Sequence, residues 1–106
     1  MAKYLFTGNY TAEGVKGVLK EGGSGRRDAV STAVKAMGGN VESIYYAFGD
    51  PDVYVIADIP DNISAVALSM GISSTGLIGV KTTVLLTVEE VDAAGKKTLS
   101  YRGPGR

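Results

Sequence analysis

Four segments of the chain are rich in β-branched and aromatic residues, the composition that is typical of strands. They cover residues 3–10, 40–48, 52–59 and 79–88. The second and third segments are joined by the acidic corner Gly49-Asp50-Pro51-Asp52, where Pro51 suits the second position of a type I turn. The pattern therefore predicts four strands, of which the second and third form a hairpin.

Two other segments place apolar residues at the i, i+3, i+4 spacing of a helix face. The first follows Thr11, a predicted N-cap, is interrupted by EGGSG at residues 21–25, and stops at Gly38-Gly39. The second follows Asp61, also a predicted N-cap. Its predicted buried face consists of Ile63, Val66, Ala67 and Met70. The later sequence EEVDAAG at residues 89–95 indicates at most one turn of helix.

The order of these elements is βαββαβ, in which two right-handed crossovers interleave. It predicts an α+β fold of the ferredoxin-like type, with a four-stranded antiparallel sheet and two helices on one face. We assign residues 1–92 to this single domain and residues 93–106 to a basic C-terminal tail.

The third and fourth strands carry apolar residues on both faces. Val53, Val55 and Ala57 alternate with Tyr54 and Ile56, and Leu85 lies between Val84 and Leu86. The strands of a sheet with one solvent-exposed face should instead alternate apolar and polar residues. Because the chain has no spare element to cover the second face, we expect a second copy to cover it, in a sheet-on-sheet homodimer with scope for further assembly.

Composition excludes several kinds of chemistry. The 106 residues are 44% hydrophobic and 21% charged, and they include no Cys and no His. Disulfides, thiolate nucleophiles, the usual base of a catalytic triad and the usual haem ligand are therefore ruled out. We expect no cofactor. The composition argues against an enzyme but does not exclude one.

Charge is unevenly distributed although the net charge is zero. Residues 1–95 carry seven basic groups against eleven acidic ones, a net charge of −4, and residues 96–106 carry four basic groups and no acid. An acidic body repels phosphate backbones, so no nucleic-acid partner is expected. Lys3 stands where the apolar part of a leader would begin, and no apolar run is long enough for a bilayer. A cytoplasmic protein without a membrane partner is the default expectation.

Four short motifs resemble the GYD-domain family in their order and spacing. They are YTAEG (residues 10–14), GG (38–39), YYAFGDPD (45–52) and IPD (59–61). The resemblance runs from Tyr4 to about Glu90 and implies a fold similar to the dimeric α/β-barrel proteins. The eponymous segment is Gly, any residue, Tyr, Asp; here Gly49 and Asp52 match, and Pro51 replaces the Tyr.

Three sets of residues are candidates for a site. Ser24, Arg26 and Arg27 could bind an anion at the restart of the first helix, against the alternative of a flexible break. In the barrel-type relatives, small organic ligands lie between the two sheets or between sheet and helices. Such a ligand could contact Tyr45 or Tyr46, which alternate across the sheet, together with Asp58 and Thr82 or Thr83; core packing and dimer contact are the alternative. Asp50, Asp52, Asp58 and Asp61 lack the spacing of a calcium loop, so no metal is expected.

Three hypotheses for function remain open at this point. The first is a small homo-oligomeric module that binds a small ligand or assembles, with its site between sheet and helices or at the sheet–sheet interface. The alternative is a cofactor-independent isomerase or monooxygenase of the dimeric α/β-barrel type, for which Asp58 is the sole candidate base; an exposed strand-end acid is the simpler explanation of that residue. The third is a purely structural homo-oligomer.

Overall fold

The computed structural model describes all 106 residues and contains four strands and three helices. In chain order the elements are β1 (Ala2–Tyr10), α1 (Ala12–Ala36), β2 (Asn40–Tyr46), β3 (Val53–Ile59), α2 (Asn62–Ser73), β4 (Ile78–Leu85) and α3 (Val88–Gly95). The predicted βαββαβ order is confirmed, and a third helix follows it. No helix combines the length and the apolar character that crossing a membrane requires.

The four strands form one antiparallel sheet in the order β2-β3-β1-β4. Both α1 and α2 pack on the same face, α1 over β2 and β1, and α2 over β4 and β3. The core lies between this helix face and the helices. It consists of Tyr4, Phe6, Val34, Val53, Val55, Ala57, Ile59, Ala65 and Leu68. An α+β fold with two helices on one face of an antiparallel sheet is therefore confirmed.

The helix-free side of the sheet, called here the open face, is more polar than the sequence pattern predicted. Tyr54 and Ile56 of β3 lie on it as expected, and β1 places Leu5 opposite Ile56. However, Thr7, Lys81 and Thr83 from β1 and β4 also lie there. The prediction rested on β3 and on the end of β4, whereas β1, which lies between them in the sheet, and the earlier part of β4 place polar residues on this face.

The break in α1 is narrower than predicted. Only Gly22 leaves the helical conformation, with φ +78° and ψ 166°, and helical residues lie on both sides of it. Such a positive φ is a region that glycine enters at little cost. Both predicted ends of α1 are confirmed: the Thr11 side chain accepts a hydrogen bond from the Gly14 amide, and Gly38 follows the last turn with φ +82°.

The predicted buried face of α2 is wrong. Ile63 is 84% exposed and Met70 67% exposed, whereas Ala65, Leu68 and Ser69 face the sheet. The apolar residues of α2 occur on every side of the helix, so their spacing alone does not show which side is buried. Ala65 and Ser69 are small enough to let the backbone approach the sheet, and the Ser69 hydroxyl hydrogen-bonds the hydroxyl of Thr82 on β4.

The prediction of at most one helical turn after β4 is also wrong. α3 has eight residues and a capping box, in which Thr87 and Glu90 each bond the other's backbone amide. None of its residues is buried. The radius of gyration is 16.9 Å, against about 13 Å for a compact domain of this length. α3 and the residues after it, including Leu99 and Tyr101, are exposed to solvent, and the division predicted at residue 92 falls inside α3.

The cap of α2 makes stability sensitive to acid. The backbone amide of Ser64 donates to the Asp61 carboxylate at 2.7 Å and, with the Ser64 side chain, lowers the pKa of Asp61 below its ordinary value. A lowered pKa in the folded state adds stability above the unfolded pKa of about 3.9, and this stability is lost as the pH falls through the folded pKa. We expect Asp61→Ala to lower the melting temperature by several degrees at pH 7 and by less at pH 2.5. Equal losses at both values, measured by circular dichroism, would contradict this.

Candidate ligand-binding site

A cleft lies on the helix face of the sheet, between α1 and α2. It exists because α1 lies towards the β2 edge and α2 towards the β4 edge, which leaves a strip above β1 less covered. Phe6 and Val55 form its floor, Val30 of α1 and Ile72 of α2 form its walls, and Val80 closes the β4 side. Nine of its twelve lining residues are hydrophobic, so the cleft favours an apolar occupant.

The cleft is narrow and adjoins a wider recess. Its volume is about 40 Å³, which is room for about three water molecules. The recess lies beneath the first half of α1 and has a volume of about 200 Å³. Tyr10, Arg26, Ile72 and Ile78 line both spaces, so Arg26 and Tyr10 stand at the boundary between them.

The boundary is polar, in contrast to the walls. Arg26 is the only charged residue in the lining of the cleft. Its Nη1 lies 3.3 Å from Oε2 of Glu21, a pair that crosses the kink at Gly22. The Tyr46 hydroxyl donates to the carbonyl oxygen of Gly23 at 3.1 Å and so attaches the kink to β2.

Two phenols near Arg26 are held in their neutral form. Burial raises the pKa of Tyr10 above its ordinary value, and the proximity of Tyr46 adds to this, while the positive charge of Arg26 opposes it. Burial likewise raises the pKa of Tyr46, against the opposing charges of Arg26 and Arg27. Both hydroxyls therefore stay protonated at neutral pH; that of Tyr46 is donated to Gly23, and that of Tyr10 can donate a hydrogen bond at this end of the cleft.

A row of aromatic rings supports the same end of the cleft. Phe48 stacks on Tyr46 with ring centroids 5.8 Å apart and on Tyr10 at 6.3 Å. Phe48 has a φ of +54°, a left-handed conformation that is unusual for a bulky residue and marks a position determined by its surroundings. The row joins β2, the corner after it and the end of β1 into one unit.

The acidic corner holds Phe48 in place. One carboxylate oxygen of Asp52 accepts from the Gly49 amide at 2.9 Å, and the other accepts from the Tyr10 amide at 2.8 Å. The corner spans residues 47–52 and contains a cis Asp50–Pro51 peptide. Asp52 thus has a structural role that connects the corner to the end of β1.

Comparison with known proteins agrees with this architecture. The family model described as GYD domain matches residues 4–94, from β1 into α3. The chain belongs to the GYD-domain family. Neither the curated proteins nor the solved structures contain a significant match to it. Gly49 and Asp52, the two residues that resemble the eponymous segment, are joined in this GYD domain by a hydrogen bond that shapes the corner.

The four residues predicted to contact a ligand do not form one cluster in the GYD domain. Tyr45 and Asp58 lie on the open face, where Tyr45 is 71% exposed. Tyr46 and Thr82 lie on the helix face, because Val53 is paired with Tyr46 and Phe6 with Thr82. Of the two threonines considered, Thr83 rather than Thr82 shares a face with Asp58.

Asp58 belongs to a charge cluster on the open face. Lys3 lies 2.9 Å from its Oδ1 and 3.3 Å from Oε1 of Glu42. The hydrogen bond to Asp58 is the largest of the effects that raise the pKa of Lys3. The ion pair with Lys3 explains an acidic residue at this position without a catalytic role. Asp58 also lies on the opposite side of the sheet from the cleft. No three acidic residues come together in a way that could hold a metal ion.

The predicted anion site does not form as a unit. Ser24 is exposed, and Arg27 Nε pairs with Oδ1 of Asp28 at 3.2 Å on the surface. Arg26 alone faces the cleft. Sequence reasoning missed Tyr10 and Phe48, although the alternation of Tyr4, Phe6 and Tyr10 along β1 indicated that all three share a face.

Proposed function

We propose that this GYD domain is a small homo-oligomeric binding module of the ferredoxin-like, dimeric α/β-barrel type. Its ligand is a small apolar molecule held between sheet and helices. The observation that carries the proposal is the cleft above β1, whose walls are apolar and whose one charged residue, Arg26, stands at its boundary. Apolar walls with a few oriented polar groups are the usual composition of small-molecule sites.

Binding fits this lining better than catalysis does. The cleft itself contains no carboxylate, thiol or imidazole, and the one carboxylate that lines the adjoining recess, Glu21, is paired with Arg26. An isomerase or monooxygenase that abstracts a proton needs a base within hydrogen-bonding distance of its substrate. Asp58, the base considered from the sequence, is paired with Lys3 across the sheet.

Titration with butanamide, a small neutral amphiphile, tests the binding site. We expect chemical-shift changes in two-dimensional NMR spectra at Val30, Ile72 and Val80. Val30→Phe should abolish them by filling the cleft. Ala29→Phe is the matched control, because Ala29 is exposed on the same helix and the variant adds the same ring outside the cleft. The proposal is wrong if neither butanamide nor butanoate perturbs these residues.

Pairing of open faces is the second part of the proposal. The open face exposes Tyr45 and Tyr54 and carries Leu5 and Ile56 on neighbouring strands. Beside them lies a shallow concavity of about 610 Å³ with mostly polar walls, among them Lys81. Large apolar patches rimmed by polar groups are typical of protein–protein interfaces. A second copy placed on this face would enclose the concavity and bury the aromatic residues.

A charge on the open face should prevent pairing. We expect Ile56→Lys to give a monomer in multi-angle light scattering at micromolar concentration, because an ammonium would be desolvated in the interface. Ile63→Lys is the matched control, since Ile63 is exposed on the outer side of α2. We expect this control to remain a dimer. Wild-type protein that is monomeric under these conditions would refute the pairing.

A further inference from the structure

Arg26 presents a positive charge at the edge of an otherwise apolar cleft. Its side chain is 29% exposed, and no other charged residue lines the cleft itself. A guanidinium is a planar fork of donors that can bind both oxygens of a carboxylate. Its present partner, Glu21, makes a single contact at 3.3 Å and is 49% exposed.

Glu21 and Arg26 form a weak ion pair across the kink at Gly22. Glu21 precedes Gly22, the one residue of α1 outside the helical conformation, and Arg26 follows it. Exposed ion pairs of this kind contribute little to stability. Replacing Glu21 with another carboxylate therefore costs little, and it conserves the charge balance at Arg26.

The shape of the site selects the apolar part of such a ligand. The cleft has a volume of about 40 Å³, and a cavity that holds a benzene ring has about 150 Å³. Neither a ring nor a long alkyl chain therefore fits without movement of the walls, whereas the three carbons of a propyl group match the room for about three water molecules. The hydroxyl of Tyr10 lies at the same boundary as Arg26 and is available as a donor.

We propose that the ligand is a small alkyl carboxylate, which displaces Glu21 from Arg26 and extends its chain into the cleft. This inference rests on the proposed binding function and adds the chemical class of the ligand. It assigns Arg26 as the head-group anchor and Glu21 as the internal competitor for that anchor. The two carboxylates exchange without any covalent step.

Butanoate and butanamide distinguish the head group from the chain. In isothermal titration calorimetry at pH 7 we expect butanoate to bind the wild-type protein at least tenfold more tightly than butanamide does. Glu21→Gln should strengthen butanoate binding several-fold, because the competitor loses its charge, and should leave butanamide binding unchanged. Arg26→Gln should reduce butanoate affinity to the level of butanamide.

Arg27→Gln is the matched control for long-range electrostatics. It removes the same charge one residue away, from a side chain that pairs with Asp28 on the surface, and should leave butanoate binding unchanged. Butanamide that binds as tightly as butanoate would overturn the carboxylate inference and leave the binding function standing. A Glu21→Gln variant without tighter butanoate binding would overturn the competitor role. No binding of either molecule would overturn the proposed function itself.

Discussion

Gly14→Ala is expected to destabilise the protein more than any other single methyl addition in α1. A Cβ at this position would lie 1.9 Å from the carbonyl oxygen of Leu77. The approach is close because that oxygen accepts a hydrogen bond from the Thr11 amide at 2.9 Å, which seats the start of α1 against the loop before β4. The methyl group must displace the backbone, so we expect a loss of about 3 kcal/mol in the free energy of unfolding, at the upper end of typical overpacking.

Gly17→Ala is the control that shows whether the contact or the residue type decides. A Cβ at Gly17 meets nothing within 4 Å, and the residue lies in the same helix. Alanine in an unobstructed helical position stabilises by about 0.5 to 1 kcal/mol relative to glycine. The two variants should therefore shift the urea midpoint in opposite directions. Similar midpoints would mean that the start of α1 is not seated on Leu77.

Asp52→Ala is expected to have the second large effect, because it removes the acceptor for two backbone amides. The carboxylate joins Gly49 to Tyr10, and its loss leaves both amides without a protein partner. Hydrogen bonds to charged groups contribute about 1.5 to 3 kcal/mol each, and the amide of Gly49 is exposed to water. We expect a total loss of about 2 to 3 kcal/mol in urea unfolding, together with altered chemical shifts at Phe48.

Asp50→Ala provides the matched control within the same corner. Asp50 is exposed, and its carboxylate makes no hydrogen bond or ion pair, so the variant should unfold within about 0.5 kcal/mol of wild type. Asp52→Asn should fall between the two, since an amide side chain retains one acceptor oxygen. If Asp50→Ala and Asp52→Ala cost the same, the corner would depend on net charge rather than on the two hydrogen bonds.

The elements that could be predicted from the sequence are those whose causes are local. Thr11 and Asp61 were identified as N-caps because each side chain bonds an amide three residues along the chain. Gly38 was identified as the end of α1 because the left-handed conformation after a helix favours glycine. Alternation also placed Tyr45 and Tyr46 on opposite faces, which the pairing with β3 confirms.

The parts of the site that could not be predicted depend on contacts between distant residues. Ser24, Arg26 and Arg27 are neighbours in sequence, but only Arg26 turns towards the cleft. Asp52 has its partner in Tyr10, 42 residues earlier, and nothing near Asp52 in the sequence indicates that bond. The resemblance of a short segment to a motif singles out such a residue without revealing which groups it contacts.

The order of the four strands and of the first two helices along the chain, the α+β class and the absence of histidine and cysteine follow from the amino-acid sequence alone. Periodicity and composition involve residues that are near one another in the chain, so no tertiary contact is needed to recognise them. The buried face of α2, the side of the sheet on which Thr82 lies and the cleft with one arginine above β1 emerge only in the folded chain. The first depends on how closely α2 approaches the sheet, where Ser69 contacts Thr82, and the second depends on the register of β4 against β1.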